Sequence, residues 1–252
     1  MENKPRQASI IIIGDEILSG MVKDTNSHYI VDRLRTIGIE TKKILVIGDD
    51  IDEIGTAVKE FSGAYDIVFT SGGIGPTHDD VTIEAIAKGF GVEVIKNQEL
   101  INRLRMIIGK EPTDVQQRMA LIPKGAEVIA DIEVGLPLIV FKNIYILPGI
   151  PKCLQRKMEV IERLLGSGSP PYVKKVYVDE YESVIAPTLS HMAQDNRSVK
   201  IGSYPTMDNP EYRVMVSFSG YNWEALNQSV EQFVSSLPNH KVVRIETWIG
   251  NG

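Results

Sequence analysis

Residues 8–13 read Ala-Ser-Ile-Ile-Ile-Ile and stop at Gly14. The run lacks the polar alternation of a strand with one wet face, so it is predicted as a strand buried on both faces, with helices covering each side of its sheet. The following residues supply such helices. Over 25–37, Tyr29, Ile30, Leu34 and Ile37 recur at helical spacing. Residues 41–47 are strand-like. A helix is expected to open at 50–53 with acidic residues in its first turn, placing Ile54, Ala57, Val58 and Phe61 on one face. Residues 66–70 form a second apolar strand running into Ser71-Gly72-Gly73, and a further helix is predicted over 79–90. Strand alternating with helix predicts βαβ units, a mostly parallel sheet and right-handed crossovers.

Helices are also expected over 98–108 and 114–121, then strands over 127–130, 138–141 and 144–147, with Lys142-Asn143 as a tight turn. Pro148-Gly149-Ile150-Pro151 breaks the chain before a helix over 152–165. Gly166-Ser167-Gly168-Ser169-Pro170-Pro171 has linker composition. Beyond it the order changes to strand 173–178, helix 183–194, strands 199–204 and 212–218, helix 223–237 and strand 241–245. That βαββαβ order is ferredoxin-like. The expected organisation is an α/β domain over 1–165, a linker over 166–172 and a small α+β domain over 173–252.

Composition narrows the function. A formal charge of -6 and the absence of a basic stripe argue against nucleic acid as partner. Acidity does not exclude a small anionic ligand, because backbone amides bind phosphate whatever the net charge. Cys153 is the only cysteine, which excludes an intramolecular disulfide and a cysteine-based zinc site. The first residues lack an apolar signal core, and 10–13 is far too short to span a bilayer, so no membrane role and a cytoplasmic location are expected.

Parallel sheets bind ligands at the carboxyl ends of their strands. Two loops there are unusual: Gly14-Asp15-Glu16-Ile17-Leu18 and Ser71-Gly72-Gly73-Ile74-Gly75-Pro76-Thr77-His78-Asp79-Asp80. In the second, Gly72, Gly73 and Gly75 let the backbone turn sharply and approach a ligand, Ser71 and Thr77 add hydroxyls, and the next helix adds its positive end. The spacing is neither a P-loop nor a dinucleotide fingerprint. Thr77 and Asp80 also have the spacing of a capping box for the helix at 79–90. The carboxylates Asp15, Glu16, Asp79 and Asp80 would repel a phosphate unless a divalent cation, Mg²⁺ or another such as Co²⁺, lay between them. Asp15 and Asp80 are the expected metal-holding and catalytic pair. Asn26 opens the helix after the first strand, while Pro148 and Gly149 flank a third strand end as a rigid wall or turn. His78 reads as a surface histidine, Cys153 as packing rather than a nucleophile, and Trp223 and Trp248 as packing.

Gly14-Asp15-Glu16-Ile17-Leu18, Thr25-Asn26-Ser27, Gly48-Asp49, the motif from Thr70 through Thr82, and Leu147-Pro148-Gly149-Ile150-Pro151 together resemble the molybdopterin-binding, or molybdenum-cofactor-biosynthesis, fold family over about residues 8–165. Within it the chain is similar to the competence/damage-inducible A group. It is more similar still to the amino-terminal domain of eukaryotic FAD synthases, since Ile185-Ala186-Pro187 and Ile201-Gly202-Ser203-Tyr204-Pro205 resemble the small domain that follows there. The resemblance implies a three-layer αβα domain, frequent homo-oligomers and a site built from the aspartate-bearing loops. It implies either metal-dependent pyrophosphate hydrolysis of FAD-like or ADP-ribose-like substrates, non-catalytic binding of molybdopterin or a flavin nucleotide, or adenylylation of molybdopterin. FAD synthesis in those proteins belongs to a separate PAPS-reductase-like domain, for which these 252 residues leave no room; whether they are a fragment or a stand-alone homologue, that activity is not expected from them alone.

Overall fold

The structure is a computed structural model that describes residues 5–130, 135–166 and 168–248; Ser167 of the expected linker lies outside them, as do the ends of both expected domains. The chain divides into two compact units, 1–168 and 169–252.

The first unit begins with β1 (Gln7–Ile13), a short α1 (Asp15–Leu18), α2 (Asn26–Thr36), β2 (Glu40–Ile47), α3 (Ile51–Ala64) and β3 (Ile67–Ser71). It continues through α4 (Thr82–Phe90), β4 (Val94–Lys96), α5 (Gln98–Ile108), α6 (Asp114–Gln117), a 3-10 turn at Arg118–Ala120 and β5 (Leu121–Pro123). It closes with β6 (Glu127–Ile129), β7 (Leu138–Phe141), β8 (Ile144–Leu147) and α7 (Pro151–Leu165). The main sheet has the order β2-β1-β3-β8-β7-β6. β2, β1, β3 and β8 run parallel, as helical crossovers require; β7 runs antiparallel to both its neighbours, β8 and β6. Lys142 at φ 56 makes the tight turn into β8, too short a connection for a parallel pair.

The isoleucine run explains the layers. Ile11 and Ile13 pack with Ile54, Val58, Phe61 and Ile86 on one face, while Ile10 and Ile12 pack with Ile30, Leu34, Leu154 and Met158 on the other. With a side-chain period of two, one strand feeds both cores. Asp50 caps α3 as expected, accepting from Asp52 N–H at 2.9 Å and Glu53 N–H at 2.8 Å. α3 and α4 cross where Gly55 meets Gly89; a Cβ on Gly89 would lie 2.9 Å from the Gly55 carbonyl carbon.

Two expectations need correction. The helix predicted over 79–90 starts at Thr82, because Asp79 and Asp80 belong to the preceding loop. The helix predicted over 114–121 is only α6 plus a 3-10 turn, since Leu121 already pairs with Lys96 in a small antiparallel ladder of β4 and β5 that the apolar periodicity did not reveal.

The second unit contains β9 (Tyr172–Val178), α8 (Glu182–Asp195), β10 (Lys200–Pro205), β11 (Val214–Gly220), α9 (Trp223–Ser235) and β12 (Val242–Trp248). Its antiparallel sheet, ordered β10-β11-β9-β12, is the ferredoxin-like arrangement expected from the element order. Among the described residues no helix is long and apolar enough to cross a membrane.

Candidate functional site

The carboxyl ends of β1, β3 and β8 meet at one polar hub. Asp24 Oδ1 accepts from the N–H of Asn26 at 2.9 Å and of Ser27 at 3.0 Å, satisfying the start of α2. That fixes Asn26, whose Nδ2 donates to Ser71 Oγ at 3.0 Å and to Gly149 O at 2.7 Å. Ser71 Oγ donates onward to Pro148 O at 3.2 Å. Asn26 and Ser71 are buried, so these bonds hold three loops in register. The Ser71 hydroxyl, expected as a ligand donor, is spent inside the protein.

After Ser71 the chain is squeezed between its neighbours. Gly72, at φ 114, donates its N–H to Leu147 O at 3.2 Å, and a Cβ there would run into the Ile13 carbonyl. Gly73, at φ 63, would drive a Cβ into Thr82 Oγ1. Thr82 closes the loop: its hydroxyl donates to Gly72 O at 2.9 Å and its N–H to Gly73 O at 3.0 Å. Only glycine fits both positions without strain. Among the described residues, the N–H groups of half-buried Gly73 and Ile74 and of exposed Gly149 have no acceptor.

Asp80 is not a helix cap. Its Oδ1 accepts from Gly75 N–H at 2.6 Å; its Oδ2 accepts from Thr77 N–H at 2.7 Å and Thr77 Oγ1 at 2.6 Å. The carboxylate clamps the loop, and the Thr77 hydroxyl, also expected to face a ligand, is spent on it. Asp15 is engaged elsewhere. Its N–H donates to Asp49 Oδ2 at 3.0 Å and its Oδ1 accepts from Asp49 N–H at 3.4 Å. Burial pushes the Asp49 carboxyl above its ordinary range, against the lowering effect of the Asp15 N–H, and the charges of Asp15, Glu16 and Asp79 add to the rise. Asp79 and His78 are exposed, as expected of a surface histidine.

A cavity of about 490 Å³ opens beside the loop. Gly72, Gly73, Gly75, Pro76, Asp80, Glu16, Pro148 and Gly149 line it; Gly14, Asp15, Asn26, Ser71, Thr77 and Asp79 do not. Ile83, Leu100, Met119, Leu121 and Ile139 form its apolar wall, and Arg118, Arg156 and Lys157 bring positive charge. Cys153, read from the sequence as packing, is exposed and lines the cavity. The sequence reading missed the cations because they lie far along the chain from the glycine loop. One signal was available: Lys157 sits within the apolar stripe of Leu154, Met158 and Ile161. Among the described residues no three His, Cys, Asp or Glu side chains converge on one point as a ready-made metal cage. Mg²⁺ needs fewer protein ligands than that when a phosphate supplies the rest. The Glu16 carboxylate has no hydrogen-bond or ion-pair partner among the described residues, so it is free to contribute.

Residues 9–166 match the family model described as "Probable molybdopterin binding domain", and residues 170–246 match "FAD synthase, middle domain". A protein of Archaeoglobus fulgidus is 34% identical over 228 residues, covering 90% of this chain and 96% of its own length. A relative named "Probable FAD synthase" from Caenorhabditis elegans is 32% identical over 264 aligned positions, covering 94% of this chain but 51% of its own length. The chain thus spans about half the length of the FAD synthase relatives it matches. A crystal structure of the protein CinA, of unknown function, from Thermoplasma acidophilum superposes with a TM-score of 0.60 at 32% identity, covering 64% of this chain and 99% of the other. The parallel sheet with its glycine loop and the antiparallel unit after it accordingly place this chain in the molybdopterin-binding domain family, joined to a region matching the middle domain of FAD synthases.

Proposed function

We propose that the cavity binds a nucleotide carrying a flat ring and a diphosphate, of the FAD or ADP-ribose class, and that the domain cleaves the diphosphate with the help of a divalent cation. The unpaired N–H groups of Gly73 and Ile74 carry this reading. An amide with no acceptor in the protein is left to water or a ligand, and two successive ones suit a phosphate oxygen. The apolar wall beside them suits a ring system.

In the reaction, water adds to one phosphorus and the bridging P–O bond breaks; FAD and water give FMN and AMP. The Gly73 and Ile74 amides hold phosphate oxygens and stabilise the charge that builds on them. The Asp80 clamp keeps those amides in place, and the apolar wall orients the ring. Glu16 and Asp80, with Asp15 beside Glu16 on α1, are the carboxylates that would hold the cation. When bound, it supplies charge neutralisation between carboxylate and phosphate.

A second reading, a binding module for molybdopterin or a flavin nucleotide without turnover, is favoured by one observation: no three-ligand cluster forms among the described residues. Incubation with FAD, ADP-ribose, or molybdopterin plus ATP, each with Mg²⁺, Co²⁺ or EDTA, decides between the two when products are identified and binding is measured by calorimetry. FMN and AMP formed only with metal support the hydrolase. Binding without product under every condition supports the module. No binding of any of these ligands rejects both.

A further inference from the structure

Lys157 is only 7% exposed, yet it lies on the cavity wall. Its Nζ donates to Leu136 O at 3.0 Å and Pro137 O at 2.6 Å, and among the described residues no carboxylate pairs with it. Two neutral carbonyls satisfy two of its three N–H donors and none of its charge. An ammonium buried without a counter-charge is costly, and such groups are normally paired. Arg118 and Arg156 line the same cavity, and their guanidinium groups have no hydrogen-bond or ion-pair partner among the described residues. The opposing carboxylates are Glu16 and Asp80, and Asp80 is occupied by its own loop. Lys157 lies six positions along α7 from Pro151 at the sheet end, about 9 Å along the axis. Lys157, and Arg156 one residue before it, are therefore set back along α7 from the junction that holds the glycine loop.

We propose that Lys157, Arg118 and Arg156 form an anion subsite distinct from the Gly73 and Ile74 amides, so that the ligand presents two phosphate groups, one to each. The inference rests on the cavity being the ligand site. It makes the site selective for diphosphates over monophosphates, since a single phosphate leaves either the amides or the buried ammonium unmet.

The test titrates inorganic pyrophosphate and inorganic phosphate into the whole chain by calorimetry. Wild type is expected to bind pyrophosphate about tenfold or more tightly than phosphate, and Lys157→Met to lose about tenfold for pyrophosphate with little change for phosphate. Desolvation lowers the Lys157 pKa to about 8, with Cys153 opposing. The gap between wild type and Lys157→Met is therefore expected to narrow at pH 9.5, which a merely structural lysine would not do. The other charged or titratable groups lining the cavity are Arg118, Arg156, Cys153, Glu16 and Asp80. Arg118→Gln, at a half-buried position, gives the same readout should Lys157→Met fail to fold. Pyrophosphate affinity unchanged in these variants, or absent in wild type, overturns the subsite whatever FAD does. Failure of both FAD and ADP-ribose to bind while pyrophosphate responds as described would reject the nucleotide reading and keep the subsite.

Discussion

Asn26 Nδ2 stands 3.0 Å from Ser71 Oγ, joining the first turn of α2 to the last residue of β3. The same amide reaches Gly149 O at 2.7 Å, so one side chain ties together three loops of the sheet end. Neither residue lines the cavity; they set the shape of those that do.

Asn26→Ala removes both donations and leaves the Gly149 carbonyl and Ser71 hydroxyl short of a partner. It is expected to cost about 1–3 kcal/mol of stability and to weaken FAD binding as the glycine loop relaxes. Denaturant unfolding alongside calorimetry measures both. Unchanged stability with weakened binding would instead indicate that Asn26 touches the ligand.

Asp80→Asn keeps the shape but offers one carbonyl oxygen and an NH₂ where two carboxylate oxygens accepted three bonds. Stability is expected to fall by about 2 kcal/mol. Ligand affinity should drop in EDTA as well as with Mg²⁺, because the Gly75–Thr77 backbone loses its brace. An affinity reduced only when metal is present would make Asp80 a metal ligand first and a clamp second.

Lys157 gives a pH dependence of known sign. Its pKa is about 8 in the folded chain against an ordinary 10.5, so the unfolded chain binds the extra proton between those values. Stability from this group therefore rises with pH across that window, and the penalty of the buried charge is fully present below pH 8. Comparing wild type with Lys157→Met by guanidinium unfolding isolates it from the other groups that titrate at high pH. Between pH 7 and pH 9.5 the difference should move in favour of wild type by about 2 kcal/mol. A pH-independent difference would show that the ammonium is not desolvated.

Gly89→Ala is the control away from the site. Its Cβ would force α4 away from Gly55 on α3, at a cost of about 1–3 kcal/mol. Gly89 does not line the cavity, so ligand affinity in the folded variant is expected to hold. Melting temperature and calorimetry check the pair; a loss of affinity equal to that of Asn26→Ala would tie the α3–α4 crossing to the site.

By itself the sequence determined the parallel sheet, the glycine loop at its edge and the βαββαβ order of the second unit. Those features are written in local periodicity and in glycine and proline chemistry, which act within a few residues. It did not reveal the β4–β5 ladder, because three-residue strands carry no period to read. The tertiary structure alone decided what the polar residues do. Asp80 and Thr77 turn toward each other, Ser71 toward Pro148, and Asp15 toward Asp49, so groups of the right type for a ligand are used to hold the loops. It alone brought Arg118, Cys153, Arg156 and Lys157 to the cavity of the Gly72–Gly75 loop. Asn26 bonds a carbonyl 123 residues away. Whether a carboxylate, hydroxyl or ammonium faces a partner or an open cavity depends on neighbours brought by folding from distant parts of the chain, and no local pattern encodes them.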